Sequence, residues 1–433
     1  MMHHGAKLGC RVIVVVLMLG FCLCVDAADM ERLVAVASKE PGWPQWRGPR
    51  RDGICDEKGL LQSWPAGGPK LLWTVSGIAS GWSSPIVSRG TIYLTGDVGD
   101  DLQIVALDLD GKVKWRTTNG KAWQGPYPGA RACCRYEEGA IYQMNAHGRV
   151  LCIDAQSGQE RWAVNVLDRF EGKNITWGLA ENLLLDGERL IVTPGGKKAM
   201  MAALDRKTGQ TLWSSGPLTY ERGTDGPSYA SPVLFELSGR RHIVSCSTRH
   251  IFGVDAQNGQ FLWKRPMQTK YEVIGMTPVL LGDGVFMAAP DSTDAKLRRL
   301  RIDGQNVNVE DLWTTTLDTC HGGVVPVDGV LFGSWYRTNS GFGCIDANTG
   351  KQLYRTRELA MGSMIHADGR LYYLSQQGLM ALIKADGKGY EITGKFRLLE
   401  ERKEDVWTHP VVLDGRMYLR YHDSLWCYDV RGK

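Results

Sequence analysis

The sequence predicts an all-β fold, an eight-bladed β-propeller built from four-stranded antiparallel blades. The first observation is a repeat, because an Asp is followed seven to ten residues later by a Trp five times along the chain. The second is that each copy holds short alternating segments and Gly-containing turns, with no helical periodicity. A period of about 40–50 residues indicates a repeat architecture, and four antiparallel strands per copy describe a propeller blade.

The repeat is clearest in the segment that leads into the last strand of each copy. Its Trp-ending copies are Asp108–Trp115, Asp154–Trp162, Asp205–Trp213, Asp255–Trp263 and, more loosely, Asp303–Trp313. A sixth copy, Asp346–Tyr354, has Tyr in place of Trp. The Asp carboxylate can accept backbone N–H groups two residues further on, and the following Gly supplies a positive φ, so a tight turn is predicted. We expect each Trp to fill the wedge between neighbouring sheets.

The first copy shows how the strands are assigned. The alternation of apolar and polar residues predicts strands over Pro85–Ser88, Thr91–Thr95, Leu102–Leu107 and Lys112–Trp115. Turn residues separate them, at Arg89-Gly90, at Gly99–Asp101 and at the repeat Asp. The same order of strands and turns recurs in the later copies.

The last copy predicts how the ring closes. The eighth copy stops at Asp429 without a fourth strand, and Lys70–Val75 has the pattern of such a strand but no copy of its own. We infer that Lys70–Val75 pairs with the last blade and removes the open edge of a linear array. Residues 70–433 then form the propeller, and residues 28–69, including Trp43 and Trp64, form an extended lead-in packed on it.

Residues 1–27 are typical of an export signal, with Lys7 and Arg11 before the apolar run Val12–Val25 and a small residue at position 27. A retained N-terminal anchor is the alternative. We expect a periplasmic or secreted protein, soluble after processing and without a membrane span. The formal net charge of +4 without a run of like charges argues against nucleic acid as a partner. We expect a monomer.

Blades that end in Asp-x-x-Thr-Gly-x-x-x-Trp resemble the pyrroloquinoline-quinone (PQQ) repeat family of eight-bladed propellers. That family includes quinoprotein alcohol dehydrogenases and the outer-membrane assembly lipoprotein BamB, which shares the propeller but is not an enzyme. The resemblance covers about residues 70–433 and implies the architecture. It leaves the two branches open, because the Asp, Gly and Trp positions hold blades together in both.

Aligning the copies on their turn Asp predicts which residues surround one mouth of the central channel. One position per copy stands at the start of the innermost strand, at Ser84, Cys133, Glu181, Ser231, Thr277, Gly322, Ser363 and His409. Two residues earlier, on the same strand face, stand Trp82, Arg131, Leu179, Tyr229, Gly275, Cys320, Met361 and Trp407. Charged groups beside aromatic rings predict a small-ligand site at this mouth; polar groups solvated in a water-filled channel are the alternative.

The resemblance implies roles for some of these residues. In PQQ-dependent alcohol dehydrogenases a disulfide between adjacent Cys lies against the quinone, and Cys133-Cys134 is such a pair here. Glu181 matches the place of a carboxylate ligand to Ca²⁺, which prefers hard oxygen ligands. Two thiols on opposite faces of a strand are the alternative for the Cys pair. The candidate cofactor-binding residues are Arg131, Cys133, Cys134, Trp177, Glu181, Tyr229, Trp407 and His409.

Three departures weigh against a dehydrogenase. The chain has no Asn-Pro dipeptide of the kind that presents another calcium ligand, no second acidic motif matching the catalytic Asp, and no Cys-x-x-Cys-His for a covalent haem. Its length leaves little for insertions that would roof a quinone. The leading hypothesis is therefore an exported, non-catalytic propeller that acts as a protein-binding or assembly platform in the cell envelope, with no cofactor expected. The alternative is a PQQ- and Ca²⁺-dependent alcohol dehydrogenase.

Overall fold

The structure is a computed structural model that describes residues 1, 32–267, 269–292, 295–337 and 340–432. It confirms an all-β architecture of eight four-stranded antiparallel blades. Except for Met1, the export-signal segment lies outside the described residues. In each blade the first strand lies innermost, beside the central channel, and the fourth lies at the outer edge.

Blades are numbered in chain order of their innermost strands. Blade 1 contains Ile86–Ser88, Thr91–Val98, Asp101–Leu107 and Val113–Lys121. Blade 2 contains Arg135–Glu137, Ala140–Met144, Arg149–Asp154 and Glu160–Asn165. Blade 3 contains Leu184–Asp186, Arg189–Val192, Ala202–Asp205 and Thr211–Ser214. Blade 4 contains Val233–Leu237, Arg240–Cys246, His250–Asp255 and Phe261–Pro266.

The second half of the ring repeats this order. Blade 5 contains Val279–Leu281, Gly284–Met287, Ala295–Asp303 and Asn306–Thr315. Blade 6 contains Val325–Val327, Val330–Trp335, Gly341–Asp346 and Gln352–Thr356. Blade 7 contains Gly362–Ala367, Arg370–Ser375, Leu379–Ala385 and Tyr390–Arg397. Blade 8 contains Val411–Leu413, Arg416–Tyr421, Ser424–Asp429 and, from the N-terminal side, Lys70–Val75.

The ring closes as the sequence predicts. Lys70–Val75 pairs antiparallel with Ser424–Asp429, with Lys70 opposite Asp429 and Val75 opposite Leu425. This pairing supplies the strand that the eighth copy lacks, so blade 8 combines both ends of the propeller sequence. Closure leaves each blade packed against two neighbours, which is how a propeller avoids exposed sheet faces.

The repeat Asp and Trp join each blade to the next. In blade 2 the Asp154 Oδ1 accepts hydrogen bonds from the N–H groups of Gln156 and Ser157 at 3.0 and 2.8 Å. The indole N–H of Trp115, in blade 1, donates to the Ala155 carbonyl at 3.2 Å. Gly158 has a φ of +73°, and a Cβ there would lie 2.8 Å from the Trp115 ring. The Gly is therefore required both by the turn and by the neighbouring indole.

Blade 7 has no Trp of its own at this position, and the lead-in provides one. Trp64 is buried, its backbone N–H donates to the Thr393 carbonyl at 3.1 Å, and its ring lies 5.6 Å from that of Phe396. A Cβ at Gly394 would lie 2.5 Å from the Trp64 side chain. The copy that lost its aromatic residue thus keeps the same kind of packing through a distant segment.

The lead-in crosses the central channel and is fastened to blades 1, 3 and 6. Trp43 exchanges two backbone hydrogen bonds with Val87 of blade 1, at 2.7 and 3.0 Å. The buried Arg47 donates to the Val324 carbonyl beside blade 6 at 2.6 Å, and the buried Arg51 donates to carbonyls beside blade 3 at 2.8 and 3.0 Å. Two short strands of this segment extend blades, Val34–Ala35 on blade 4 and Ile54–Cys55 on blade 7.

Two small elements are absent from the sequence prediction. A five-residue helix, Val166–Phe170, follows blade 2, and the Asn165 side chain caps it by accepting from the Asp168 N–H at 3.1 Å. A short hairpin, Thr219–Tyr220 with Gly223–Thr224, follows blade 3. Among the residues described, no helix has the length and apolar character that a membrane span requires.

Candidate functional site

A cavity of about 480 Å³ opens where the innermost strands begin. This volume lies within the range of about 300–1,000 Å³ that is usual for small-molecule sites. Its aromatic lining residues are Trp46, Trp82, Tyr127, Trp177, Tyr229, Tyr271, Tyr336 and Trp407. Its other lining residues are Arg131, Ala180, Asn182, Ser231, Val273, Gly275, Thr277, Pro290, Asp291, Cys320, His321 and Arg337.

The structure brings together, around this cavity, most of the residues predicted two positions before the start of each innermost strand. Six of these eight residues line the cavity, namely Trp82, Arg131, Tyr229, Gly275, Cys320 and Trp407. Leu179 and Met361 are buried and do not line it. The repeat alignment therefore located the channel mouth, because equivalent positions of the blades must meet around one axis.

The floor of the cavity comes from the lead-in. The Trp46 indole N–H donates to the Thr277 hydroxyl of blade 5 at 3.0 Å, and its ring lies edge-on to the His409 imidazole at a centroid distance of 4.4 Å. These contacts fix the indole between blades 5 and 8. Trp46 belongs to no repeat, so sequence alignment of the blades carried no signal for it.

One wall is a continuous group of aromatic rings. The rings of Trp82 and Trp407 stack at 4.3 Å with an angle of 29°, and the His321 imidazole lies 4.4 Å from Trp407. A second group lies beside blades 3 and 4, where Trp177 and Tyr229 meet edge-to-face at 5.9 Å. Such pairs lock one another's orientation, so the lining is a preformed curved surface.

The two arginines of the lining are both engaged. Arg131 donates to the carbonyls of Gly129, Pro126 and Tyr127 at 2.5–2.9 Å, and burial lowers its pKa to about 10. It therefore holds the loop that carries Tyr127 to the rim. Arg337 lies 3.6 Å from the Asp291 carboxylate, which balances its charge.

Ser231, Thr277 and Trp177 also line the cavity, whereas Cys133, Cys134, Glu181 and His409 are buried and do not line it. Glu181 is 2% exposed, and its Oε2 accepts from the Thr193 N–H at 3.0 Å. Burial raises the pKa of Glu181 to about 8, partly offset by the Thr193 hydrogen bonds and the charge of Arg51. The structure therefore favours a protonated, neutral carboxyl group at pH 7.

The Cys pair and His409 are also buried. Cys133 and Cys134 are both free thiols in a core cluster, and burial raises the pKa of Cys133 to about 12. The His409 Nε2–H donates to the His321 carbonyl at 2.9 Å, and burial lowers the pKa of His409 to about 3. Neutral, inaccessible groups of this kind are typical of structural positions.

The donor set does not fit a calcium–PQQ centre. Calcium takes six to eight oxygen ligands, with carboxylates prominent among them. Among the described residues of the lining, Asp291 is the one carboxylate, and it is paired with Arg337, while Glu181 is buried and does not line the cavity. No group of three or more His, Cys, Asp or Glu side chains capable of holding a metal occurs in the described part of the chain.

Several lining residues were not predicted. Tyr127, Tyr271, Tyr336, Arg337, Asp291 and His321 come from loops between blades or between strands. His321 adjoins the predicted Cys320, so a one-residue allowance in blade 6 would have found it. The others follow no period of the repeat, and only the folded loops place them at the mouth.

The chain has partial sequence similarity to two kinds of protein, alcohol dehydrogenases and BamB. It is 28% identical over 171 residues to a lanthanide-dependent methanol dehydrogenase of Methylacidiphilum fumariolicum, covering 36% of this chain and 26% of that protein. It is 23% identical over 236 residues to the outer membrane protein assembly factor BamB of Burkholderia pseudomallei, covering 53% of this chain and 56% of that protein. The matched regions therefore span less than two thirds of these relatives' lengths.

The structural comparison supports the fold alone. The crystal structure of BamB from Moraxella catarrhalis superimposes with a TM-score of 0.58 at 14% identity, covering 83% of this chain and 97% of that one.

The family model described as outer membrane protein assembly factor BamB matches residues 117–335, about half of the chain. The chain belongs to this family of PQQ-like, BamB-type propellers.

Proposed function

We propose that this protein is an exported, non-catalytic propeller of the cell envelope that binds a protein partner through the cavity end of its channel. The single observation that carries the proposal is the composition of that end: of its twenty described lining residues, eight are Trp or Tyr and one is a carboxylate. Trp, Tyr and Arg are the residues that dominate binding energy at protein interfaces. A lining of this kind suits recognition better than proton transfer.

The rim offers aromatic side chains to a partner. Tyr127 is 49% exposed and Tyr271 is 47% exposed, at two separate loops of the mouth. Arg337 stacks on both Tyr271 and Tyr336, with its guanidinium carbon 5.5 and 5.0 Å from the ring centroids. Large exposed rings held by neighbours carry a low entropy cost on binding, which supports a docking role.

The envelope location is part of the proposal. The basic and apolar start of the chain favours export, and the BamB-type relative supports an envelope setting. The closed ring and the lead-in that fastens several blades favour a rigid platform, because partner-binding faces then need little ordering on association.

Site-specific photo-crosslinking tests the proposal. A photoreactive phenylalanine analogue at position 127 or 271 should give a discrete cross-linked protein species in the native envelope. The same analogue at position 212 is the matched control, because Leu212 is also 49% exposed but lies on an outer strand of blade 3. Equal cross-linking at all three positions, or none at 127 and 271, would contradict a partner at the cavity end.

A second candidate, a PQQ- and Ca²⁺-dependent alcohol dehydrogenase, is favoured by the methanol dehydrogenase relative and by the adjacent Cys133-Cys134. Its test is a titration of purified protein with PQQ and Ca²⁺, followed by dye reduction with simple alcohols. Micromolar quinone binding that disappears in Glu181→Ala would overturn the platform proposal. Absence of binding, with free thiols at 133 and 134, would exclude the dehydrogenase.

A further inference from the structure

We propose that the cavity binds a saccharide, with one or two pyranose rings packed on its indole faces. The inference rests on the proposed function, because it assumes that the cavity is a recognition site and specifies the chemical class of its ligand. Carbohydrate carried by a glycosylated partner and free envelope glycan share this chemistry.

The aromatic lining suits a ring with an apolar face. Indoles reach the cavity from its floor at Trp46 and from its walls at Trp82, Trp177 and Trp407. The neighbouring rings meet at angles from 29° to 61° and form a curved surface, whereas a flat aromatic ligand would need a parallel slot. The C–H groups on one face of a pyranose are polarised towards the electron-rich face of an indole, so the two pack favourably.

The polar side chains of the lining favour a ligand that carries hydroxyl groups. The Trp407 Nε1 and His321 Nε2 atoms are shielded from the cavity, so its polar contacts come from side chains such as Asn182, Ser231 and Thr277. The hydroxyls of Ser231 and Thr277 accept from the Asn182 side chain and from the Trp46 indole, both at 3.0 Å, which leaves each O–H free to donate. An apolar ligand would leave these groups unsatisfied at a free-energy cost. Sugar hydroxyls both donate and accept, so they can satisfy each kind of group.

The charge balance argues against ionic ligands. Two guanidinium groups in the lining disfavour a cation, although aromatic walls alone would suit one. Arg337 is paired with Asp291, and the terminal nitrogens of Arg131 already donate to three loop carbonyls. Strong recognition of an anion needs free charged donors, and a nucleic acid needs a basic groove. A neutral, polyhydroxylated ligand meets neither difficulty.

The same lining binds a sugar without cleaving it. Most glycosidases need two carboxyl groups flanking the scissile bond, one as acid and one as base or nucleophile. Asp291 is the one carboxylate that the described part of the chain contributes to the lining, and the buried Glu181 does not line the cavity. The inference therefore agrees with a non-catalytic propeller and specifies what its cavity recognises.

An array of neutral and acidic bacterial surface glycans tests the inference, with titration calorimetry of the best-bound oligosaccharide as the second measurement. We expect retention of neutral glycans and at least a tenfold weaker Kd in Trp407→Ala. Trp407→Phe, which keeps a smaller aromatic ring, should give an intermediate loss. Trp426→Ala is the matched control, because Trp426 is a half-buried Trp in blade 8 that does not line the cavity.

Each outcome decides the inference. No retained glycan with folded protein, or equal binding by wild type and Trp407→Ala, would overturn it. Retention confined to acidic glycans would also overturn the neutral ligand argued here. Cross-linking at positions 127 and 271 is scored separately, so a partner captured without any glycan binding would leave the platform proposal standing and remove only the saccharide. Loss of the cross-link after enzymatic deglycosylation of the envelope would identify the partner's glycan as the source.

Discussion

Replacing Glu181 with Gln should change how the stability of the protein depends on pH. The carboxyl is buried, and its pKa is raised from 4.5 to about 8, mainly by burial. A group whose pKa is higher in the folded state binds its proton more tightly there. Its contribution to stability is therefore complete below pH 4.5 and is lost as the pH rises through 8.

The magnitude follows from the two pKa values. A rise from 4.5 to about 8 corresponds to about 5 kcal/mol between the two protonation states. Between pH 5 and pH 8 this single carboxyl should cost the wild type about 3–4 kcal/mol of unfolding free energy. That is a large fraction of the roughly 5–15 kcal/mol typical of folded domains. Glu181→Gln keeps the shape of the protonated group and should lose this part of the pH dependence.

Urea denaturation of both proteins at pH 5, 6.5 and 8, followed by tryptophan fluorescence, measures the difference. Glu391→Gln, at an exposed carboxylate of blade 7, is the control and should run parallel to the wild type. Difference infrared spectroscopy at pH 6.5 should show a protonated carboxyl that is missing in Glu181→Gln. Parallel curves for wild type and Glu181→Gln, or an ionised carboxylate at pH 6.5, would refute the reasoning.

Three further predictions concern the ring and its cysteines. Trp73 lies in the closing strand, and its indole N–H donates to the Leu109 carbonyl at 2.9 Å. We expect Trp73→Ala to lower the free energy of unfolding by about 3 kcal/mol, measured by urea denaturation. An unchanged free energy of unfolding would contradict the role of Trp73 in ring closure. Gly259→Ala places a Cβ 2.3 Å from the blade 3 indole at a φ of +75°, so it should lower the free energy of unfolding clearly more than Gly239→Ala, which has the same φ and open space around it. Equal losses of stability in the two variants would contradict the packing role of the indole. Ellman's reagent should react with neither Cys133 nor Cys134 in the native protein and with both after unfolding without reductant. If these two thiols do not react after unfolding, they form a disulfide.

The sequence was sufficient to predict the fold because the same pattern of Asp, Gly and Trp recurs in most of the blades. Asp154, Gly158 and Trp115 act through short-range turns and one neighbour contact, and each can be recognised from spacing alone. The closing strand Lys70–Val75 was also recoverable, since one strand was missing at one end and one was extra at the other. The helix Val166–Phe170 was missed because it spans little more than one turn, too short for a helical period to show.

The candidate site was recovered only in part, and the division has a physical cause. Trp82, Arg131, Tyr229 and Trp407 stand at equivalent places in their blades, so rotational alignment brings them to one mouth. Glu181 stands one residue from the lining Asn182, and that single step turns its side chain away from the cavity and into the core. Alignment by period cannot resolve a shift of one residue, although it reverses the face of a strand.

What the sequence determined by itself is the architecture: eight blades, their order, the indole wedges and the closure of the ring, all of which depend on local patterns that repeat. What the tertiary structure decided is the chemistry at the channel mouth. Trp46 arrives there from a lead-in that crosses the channel, Tyr271 and Arg337 arrive on loops, and burial neutralises Glu181. Such placements depend on long-range packing and on exclusion of water, and neither leaves a periodic trace in the chain.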